Sequence, residues 1–230
     1  MGGGACAVAE LEDGSVARLV VTNPGEGYSM PPAVSIRGGG SGSGLLLGPP
    51  VLLPNRSGGL VKTGAGTLSL RGRCTYQGAT VVEGGTLLAE GDLASATGEV
   101  EVRQDAVLGG SGTLGGGLRA EPGSTVAPGN PLGTLAVGGD ARLQGTLVVS
   151  IAATHASLLE VAGELDVDGA RLEIRGGGVD VVRTTHILAR YGSLKGRFAA
   201  TAVPSGFTLD YHFGGLNQIA LIPTAPPDEK

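Results

Sequence analysis

Residues 59–90 read GLVKTGAGTLSLRGRCTYQGATVVEGGTLLAE, and the prediction of the fold rests on this stretch. Its apolar residues come in short runs, and a glycine or a pair of glycines ends each run. Alternating polar and apolar residues, together with β-branched pairs, are typical of β-strands. A helix through this stretch would lose about 1 kcal/mol at each glycine relative to alanine. The pattern therefore predicts several short strands that are joined by tight turns.

A phrase from this stretch recurs along the chain. Gly-Thr-Leu begins at Gly66, Gly85, Gly112, Gly133 and Gly145, and a looser copy begins at Gly163. Several of the intervals lie near ~20 residues, which is a repeat length typical of solenoids. In a β-solenoid the leucines and valines point inward, and glycines supply the corners that need a positive φ. At about 20 residues per coil, residues 59–222 would form roughly eight coils.

The same stretch resembles a known family, the autotransporter-associated β-strand repeat of exported bacterial surface proteins. The resemblance implies an all-β fold, a single-stranded right-handed parallel β-helix (β-solenoid). It implies no catalytic residue, no metal and no cofactor, because the repeat is a structural unit. One departure is Cys74, which stands where the family usually has an asparagine before Thr-Tyr. The residues that match the repeat motif are Gly59, Leu60, Lys62, Gly64, Gly66, Thr67, Leu68, Thr75, Tyr76, Gly78, Gly85, Thr86 and Leu87.

The C-terminal part of the chain resembles the segments that follow such repeats. Residues 124–137 contain a Pro-Gly turn before Gly-Thr-Leu, and residues 191–198 read YGSLKGRF. Most of the chain's few aromatic residues also lie here, which predicts a hydrophobic cap over the last coil. The alternative is a carbohydrate-stacking platform, which would need these rings to face water together. The predicted cap residues are Tyr191, Leu194, Gly196, Phe198, Phe207 and Tyr211.

The sequence predicts four segments. Residues 1–44 form a small glycine-rich β module, in which a turn at Asp13 joins two strands and Tyr28 packs as a lid; a ligand role for Tyr28 is the alternative. Residues 45–58 form a linker or cap, residues 59–222 form the β-helix, and residues 223–230 form a disordered tail. The start lacks the features of a signal peptide, and no apolar run approaches the roughly 20 residues that cross a bilayer. We therefore expect a piece of a longer exported protein.

Composition excludes several classes of protein. The chain has 44 glycines in 230 residues without a triplet register, which excludes collagen. A hydrophobic fraction of 41% argues against disorder. The net charge is −5 and the basic residues do not cluster, so nucleic-acid binding is not expected.

Candidate metal and redox residues are few. Cys6 and Cys74 either form a disulfide, if the chain is exported, or are two isolated small buried residues. Glu164, Asp166 and Asp168 are predicted to share one face of a strand, where they would bind Ca²⁺ or form a solvated outer surface. The sequence separates the three histidines, so a metal site is not expected. These histidines are His155, His186 and His212.

These observations favour a structural, non-catalytic segment of an exported bacterial surface protein, acting as a rigid passenger or spacer. It would be extracellular or on the cell surface. The alternative is an adhesin that binds a surface glycan or protein, or a filament subunit whose solenoid ends or N-terminal arm pair between copies. A β-helix enzyme would need clustered carboxylates on one outer face, whereas the body here is dominated by Gly, Thr, Ala and Ser.

Overall fold

The structure is a computed structural model, which describes residues 4–23, 25, 28–34, 48, 50, 58–129, 131–152, 155–176 and 184–224. The chain divides into two compact units, Met1–Asn55 and Arg56–Lys230. Most of the predicted linker or cap, and residues 225–230 of the predicted tail, lie outside the described residues. Both therefore stay predictions.

The first unit contains an antiparallel hairpin of β1 (Cys6–Glu12) and β2 (Ser15–Asn23). The turn between the strands uses positive φ angles at Asp13 and Gly14, 52° and 78°. Tyr28 is half-buried, and its hydroxyl accepts a hydrogen bond from the Ala5 N–H at 3.3 Å. This contact ties the segment that follows β2 back to the start of β1.

Within its described residues, the second unit contains twenty strands and one 3₁₀ turn, Phe213–Gly215. The strands are β3 (Leu60–Lys62), β4 (Thr67–Leu70), β5 (Thr80–Val82), β6 (Thr86–Ala89), β7 (Asp92–Leu93), β8 (Val100–Val102), β9 (Val107–Gly110), β10 (Thr113–Leu114), β11 (Leu118–Ala120), β12 (Thr125–Pro128), β13 (Thr134–Val137), β14 (Ala141–Leu143), β15 (Thr146–Ala152), β16 (His155–Ala156), β17 (Leu158–Asp166), β18 (Arg171–Gly176), β19 (His186–Lys195), β20 (Ala200–Ala202), β21 (Phe207–Asp210) and β22 (Gln218–Pro223).

These strands form three ladders. The first runs in parallel through β3, β5, β8, β11 and β14 and the second halves of β17 and β19. The second runs through β4, β6, β9, β12, β15, β18 and β20. The third joins β7, β10 and β13 and continues on the first halves of β17 and β19. It is extended by antiparallel pairing from the first half of β19 to β22 and then to β21. The first coil contributes β3 and β4 to the first two ladders, and from β5 to the first half of β19 each full turn of chain contributes to all three, so the predicted parallel β-helix is confirmed.

The coils grow longer towards the C-terminus. Leu60 pairs with Thr80, 20 residues on, whereas Leu165 pairs with Leu194, 29 residues on. Each of the first two ladders therefore contains seven parallel strands among the described residues, rather than the roughly eight expected from a constant repeat. The last residues instead form the antiparallel strands β21 and β22.

The core consists of aliphatic side chains that stack in columns from coil to coil. One column belongs to the second ladder. Its first residue is half-buried, and each of the others is at most 2% exposed. Each buried leucine stabilises the fold by about 2 kcal/mol relative to an exposed one. Residues of this column are Leu68, Leu87, Leu108, Val126, Leu147 and Leu172.

Charged residues form an outer column on the first ladder. The guanidinium of Arg103 contacts Glu101 at 3.0 Å and Glu121 at 2.8 Å, and Arg119 lies 3.8 Å from Glu101. Opposite charges thus face each other between neighbouring coils, which favours the observed register over a slip.

Candidate functional site

Two parts of the second unit gather the residues that the sequence singled out. One is the first coil, where the repeat motif lies, and the other is the C-terminal end, where the predicted cap lies.

Lys62 occupies an inward position of the first coil, in register with the fully buried Val82. Its side chain is buried, and Nζ donates to the backbone carbonyls of Thr63 at 2.9 Å, Gly64 at 2.8 Å and Gly84 at 2.9 Å. An ammonium group has three donors, and all three are used here. Lys62 therefore ties the corner of the first coil to the corner of the second.

Tyr76 serves a similar purpose on the other side of the first coil. Its hydroxyl lies 2.6 Å from the hydroxyl of Thr80, an inward residue that is only 2% exposed. Burial raises the pKa of Tyr76, and the nearby Cys74 adds to this rise, although the hydrogen bond with Thr80 opposes it. The pair satisfies two polar groups at the edge of the apolar core. Thr75, next to them, is exposed.

The motif glycines allow the first two coils to approach closely. Gly85 has a φ of +66°, and a Cβ there would lie 2.4 Å from the carbonyl oxygen of Gly64. A Cβ on Gly78 would lie 2.6 Å from the nitrogen of Gly59. Gly66, in contrast, has open space around it. Of the remaining motif residues, Leu60 begins β3 opposite Thr80. The others lie in the paired strands β4 and β6, with Thr67 opposite Thr86 and Leu68 opposite Leu87.

Both cysteines are free. Cys74 is half-buried, and its N–H donates to the carbonyl of Asp92 at 2.9 Å. Cys6 is exposed, so the expectation that both cysteines are buried is wrong for Cys6.

At the C-terminal end, the rings of Tyr191, Phe198 and Tyr211 are buried, and the hydroxyls of the two tyrosines form hydrogen bonds with neighbouring segments of the chain. The Tyr191 hydroxyl donates to the carbonyl of Tyr211 and lies 2.9 Å from Nδ1 of His212. The Tyr211 hydroxyl accepts from the Phe198 N–H at 3.2 Å, and the guanidinium of Arg197 lies 4.6 Å from the Tyr211 ring centre. Tyr191, Phe198 and Tyr211 are only 6%, 8% and 8% exposed. They do not form the water-facing surface that a carbohydrate platform would need.

The other predicted cap residues lie around these rings. Leu194 is half-buried and pairs with Leu165 of the coil below. Gly196 has a φ of +75°, and a Cβ there would lie 2.6 Å from Cβ of Asp168. Phe207 is half-buried against the imidazole of His186, with 6.2 Å between ring centres.

The three carboxylates predicted to share a face have different surroundings. Asp166 is buried, whereas Glu164 and Asp168 are exposed. Partial burial would raise the pKa of Asp166, but hydrogen bonds from Lys195 and from the Asp168 N–H, with the positive charges of Lys195 and Arg142, outweigh it and lower the pKa. No group of three or more His, Cys, Asp or Glu side chains within the described ranges is placed to hold a metal ion. The Ca²⁺ interpretation is therefore not supported.

A shallow groove of about 440 Å³ lies along the third ladder. Its floor contains small residues, Ala136, Gly138 and Ala162, and an ion pair between Glu160 and Arg190 at 2.9 Å lies beside them. Sequence reasoning missed this groove, because the two charged residues are 30 positions apart and meet only once the coil lengths are known. The residues that line the groove could hold a ligand by their shape and through one ion pair, but they do not supply a reacting group.

Comparison with known proteins identifies the repeat. The family model of the passenger-associated-transport-repeat matches residues 60–89. An extracellular serine protease of Serratia marcescens is 49% identical over 84 residues, which are 36% of this chain and 8% of the relative. The adhesin BmaC autotransporter of Brucella suis biovar 1 (strain 1330) is 36% identical over 74 residues, which are 32% of this chain and 2% of the relative.

These matches confirm the resemblance to the autotransporter-associated repeat. They also confirm the predicted location, extracellular or at the cell surface as part of an exported protein. The matched part of the chain spans less than a tenth of either relative. Over the residues that the structure describes, no helix combines the length and hydrophobicity needed to cross a membrane.

Proposed function

We propose that this chain is a rigid, non-catalytic spacer within the passenger region of an exported surface protein. The observation that carries the proposal is the continuity of the stack: two ladders of seven parallel strands around one sealed aliphatic core. The six steps between seven coils, at about 4.8 Å each, separate the two ends of the stack by roughly 29 Å.

The physical basis of rigidity is the direction of the hydrogen bonds. In stacked coils the backbone bonds run along the axis of the stack, so bending or stretching it strains many bonds at once. The core columns act in the same direction, because each inward leucine packs on its neighbours above and below. A solenoid of this kind is stabilised mainly by contacts between nearest coils.

Polar contacts between neighbouring coils help to fix the register of the strands. Glu90 accepts from the hydroxyl of Ser69 at 2.7 Å and from Arg71 at 2.9 Å, both one coil earlier. Each exposed pair contributes at most about 1 kcal/mol. Their positions nevertheless penalise a one-residue slip, which would turn every core side chain outward.

Single-molecule pulling tests the spacer proposal. Handles would be attached through cysteines introduced at positions 58 and 224, in a full chain with Cys6 and Cys74 replaced by serine. A rigid stack keeps its length as force rises and then unfolds in discrete steps, each releasing one or more coils of roughly 65 to 95 Å of chain. Gradual extension from the lowest force, without steps, would contradict the proposal.

A second candidate is an adhesin, and the groove along the third ladder favours it. The groove is shallow, and the Glu160–Arg190 pair in its lining supplies both a hydrogen-bond acceptor and donors. One of the two relatives is also named an adhesin. Binding of the full chain to a glycan array would support this candidate if R190A abolishes it while R175A, at an exposed pair elsewhere, does not. If no glycan on the array gives a reproducible signal, the adhesin candidate is contradicted and the spacer proposal stands.

The filament alternative stays a prediction. Among the described strands the C-terminal end is stepped, since the third ladder continues through β22 and β21 while the first ends at β19 and the second at β20. A second copy stacked head to tail would therefore not meet all three ladders at the same level, which is why we favour the spacer. Sedimentation over a concentration series tests for assembly.

A further inference from the structure

The chain contains two Asp-Gly pairs, Asp13–Gly14 and Asp168–Gly169, and no Asn-Gly pair. An aspartate that precedes a glycine is prone to modify itself, because the glycine has no Cβ that would shield its backbone nitrogen. That nitrogen attacks Cγ of the aspartate and closes a five-membered succinimide ring. Whether the attack takes place depends on how freely the turn that contains the pair can move.

The reaction needs no partner other than water. A bond forms between the glycine nitrogen and Cγ of the protonated carboxyl group, and the proton of that nitrogen leaves with the carboxyl OH as water. A second water molecule then opens the ring. Opening at Cγ restores aspartate, whereas opening at the main-chain carbonyl carbon leaves isoaspartate, in which the chain runs through Cβ and Cγ. The product has the same atomic composition as the original chain.

The first pair lies at the tip of the hairpin in the first unit. Asp13 and Gly14 form the two-residue turn between β1 and β2, and both they and the flanking Glu12 and Ser15 are exposed. Among the described residues, the Asp13 carboxylate has no ion-pair partner, the Gly14 N–H makes no backbone hydrogen bond, and open space surrounds Gly14. A two-stranded hairpin is only marginally stable in water, so its tip opens easily.

The second pair lies in a corner of the solenoid, within the turn of residues 167–170. The N–H of the last residue of this turn donates to the carbonyl of the first at 3.0 Å, and both of these residues are fully buried. Each of them is also hydrogen-bonded to the backbone of the following coil. The Asp168 N–H donates to Oδ1 of Asp166 at 3.0 Å, and Cβ of Asp168 lies against Gly196. This turn is therefore held on both sides.

We infer that Asp13 is a site of spontaneous isoaspartate formation, whereas the fold protects Asp168 in the same dipeptide. The attack requires the main chain and the side chain of the aspartate to rotate out of the folded turn, so its rate follows the frequency with which the turn opens. The hairpin tip opens by itself. The solenoid corner opens only when its bonds to the next coil are broken. This inference is independent of the spacer proposal.

Isoaspartate at position 13 would alter the hairpin as well as the residue. The backbone gains one carbon atom between positions 13 and 14, so the loop no longer fits the two-residue turn that sets the register of β1 and β2. In the unmodified hairpin, Glu10 lies opposite Arg18, and their side chains form an ion pair at 2.5 Å. Because the reaction needs no enzyme, exported copies would accumulate the modified hairpin with age.

Ageing of the purified full chain in mildly acidic buffer at physiological temperature tests the inference. Trypsin releases a peptide that contains each pair, and liquid chromatography with mass spectrometry separates an isoaspartyl peptide from its aspartyl isomer of equal mass. The synthetic peptides ELEDGSVAR (residues 10–18) and GELDVDGAR (residues 163–171) give the rates without the fold. We expect position 13 of the folded chain to react within about threefold of its peptide, and position 168 at least about tenfold more slowly than its peptide.

Two matched variants and an unfolded sample serve as controls. D13N keeps a dipeptide that favours the same type of turn, and it should form isoaspartate at position 13 faster, since ammonia then leaves in place of water. D168N, in contrast, should stay protected relative to its own peptide. In urea both positions of the wild-type chain should react as fast as their peptides. Equal rates at the two positions of the folded chain, or protection of position 13, would overturn the inference, and neither result would affect the pulling test of the spacer.

Discussion

The ammonium nitrogen of Lys195 lies 2.8 Å from Oδ2 of Asp166, its register partner one coil earlier in the stack. The side chain of Asp166 is only 10% exposed, and Arg142 of the preceding coil lies 3.9 Å away from the same oxygen. One carboxylate thus links three consecutive coils. The hydrogen bond with Asp166 raises the pKa of Lys195, and the same interaction contributes to the lowered pKa of Asp166.

D166N should destabilise the fold at neutral pH by about 1 kcal/mol, because an amide replaces a carboxylate that receives charge-assisted hydrogen bonds. The pKa of Asp166 is lower in the folded than in the unfolded state. Its contribution is therefore present above the unfolded-state pKa and is lost as the pH falls through the folded-state pKa. Urea unfolding of wild type and D166N at several pH values should show the difference at pH 7 and its disappearance in acid.

E99Q is the control for this experiment, since Glu99 is exposed and lies on the outside of the stack. Its unfolding free energy should stay within about 0.5 kcal/mol of wild type. A D166N effect that is unchanged between neutral and acid pH would show that the carboxylate charge is not the cause.

Two glycines of the same phrase should respond differently to substitution. G85A places a Cβ 2.4 Å from a backbone oxygen at a φ of +66°, so we expect a loss of at least about 2 kcal/mol of unfolding free energy. G66A meets open space and should be neutral or slightly stabilising. Chemical unfolding of both variants measures the contrast. Equal effects would mean that the close approach at Gly85 relaxes without cost.

The core columns predict a further contrast. Leu108 is fully buried in the column of the second ladder, and L108A should cost about 3 kcal/mol through lost burial and the cavity left behind. Leu216 is 60% exposed, and L216A should change the unfolding free energy by less than about 0.5 kcal/mol. Urea unfolding measures both, and a loss below 1 kcal/mol for L108A would contradict a sealed core.

Much of the fold could be predicted from residues 59–90, because short glycine-bounded strands and a repeated phrase are local signals. The phrase does not always mark the same side of the coil, however. Thr67, Thr86 and Thr146 lie in the second ladder, whereas Thr113 and Thr134 lie in the third. This change of side explains the irregular intervals between copies.

The rest depends on distances along the chain that local patterns do not contain. Arg190 meets Glu160 across a coil that is longer than the early ones, so a constant repeat length places them out of register. His212 meets Tyr191 only because β22 returns antiparallel to β19. The repeat motif predicted neither contact, since both arise where the chain departs from the repeat.

The hydroxyl of Tyr191 provides the last prediction. Y191F removes its hydrogen bond to the Tyr211 carbonyl and its contact with His212, and the loss should be about 1.5 kcal/mol of unfolding free energy. Y28F, in the first unit, is the matched control.

Burial, with the nearby charge of Asp210, raises the pKa of Tyr191. Because a tyrosine loses a proton to become charged, this raised pKa makes the folded state less stable as the pH rises from about 10 through the folded-state value. The pKa of Tyr76 is raised as well, so Y191F should keep that late-ionising tyrosine. Ultraviolet difference titration should therefore show one late-ionising tyrosine fewer in Y191F than in wild type and Y28F, and an unchanged number would contradict the assignment.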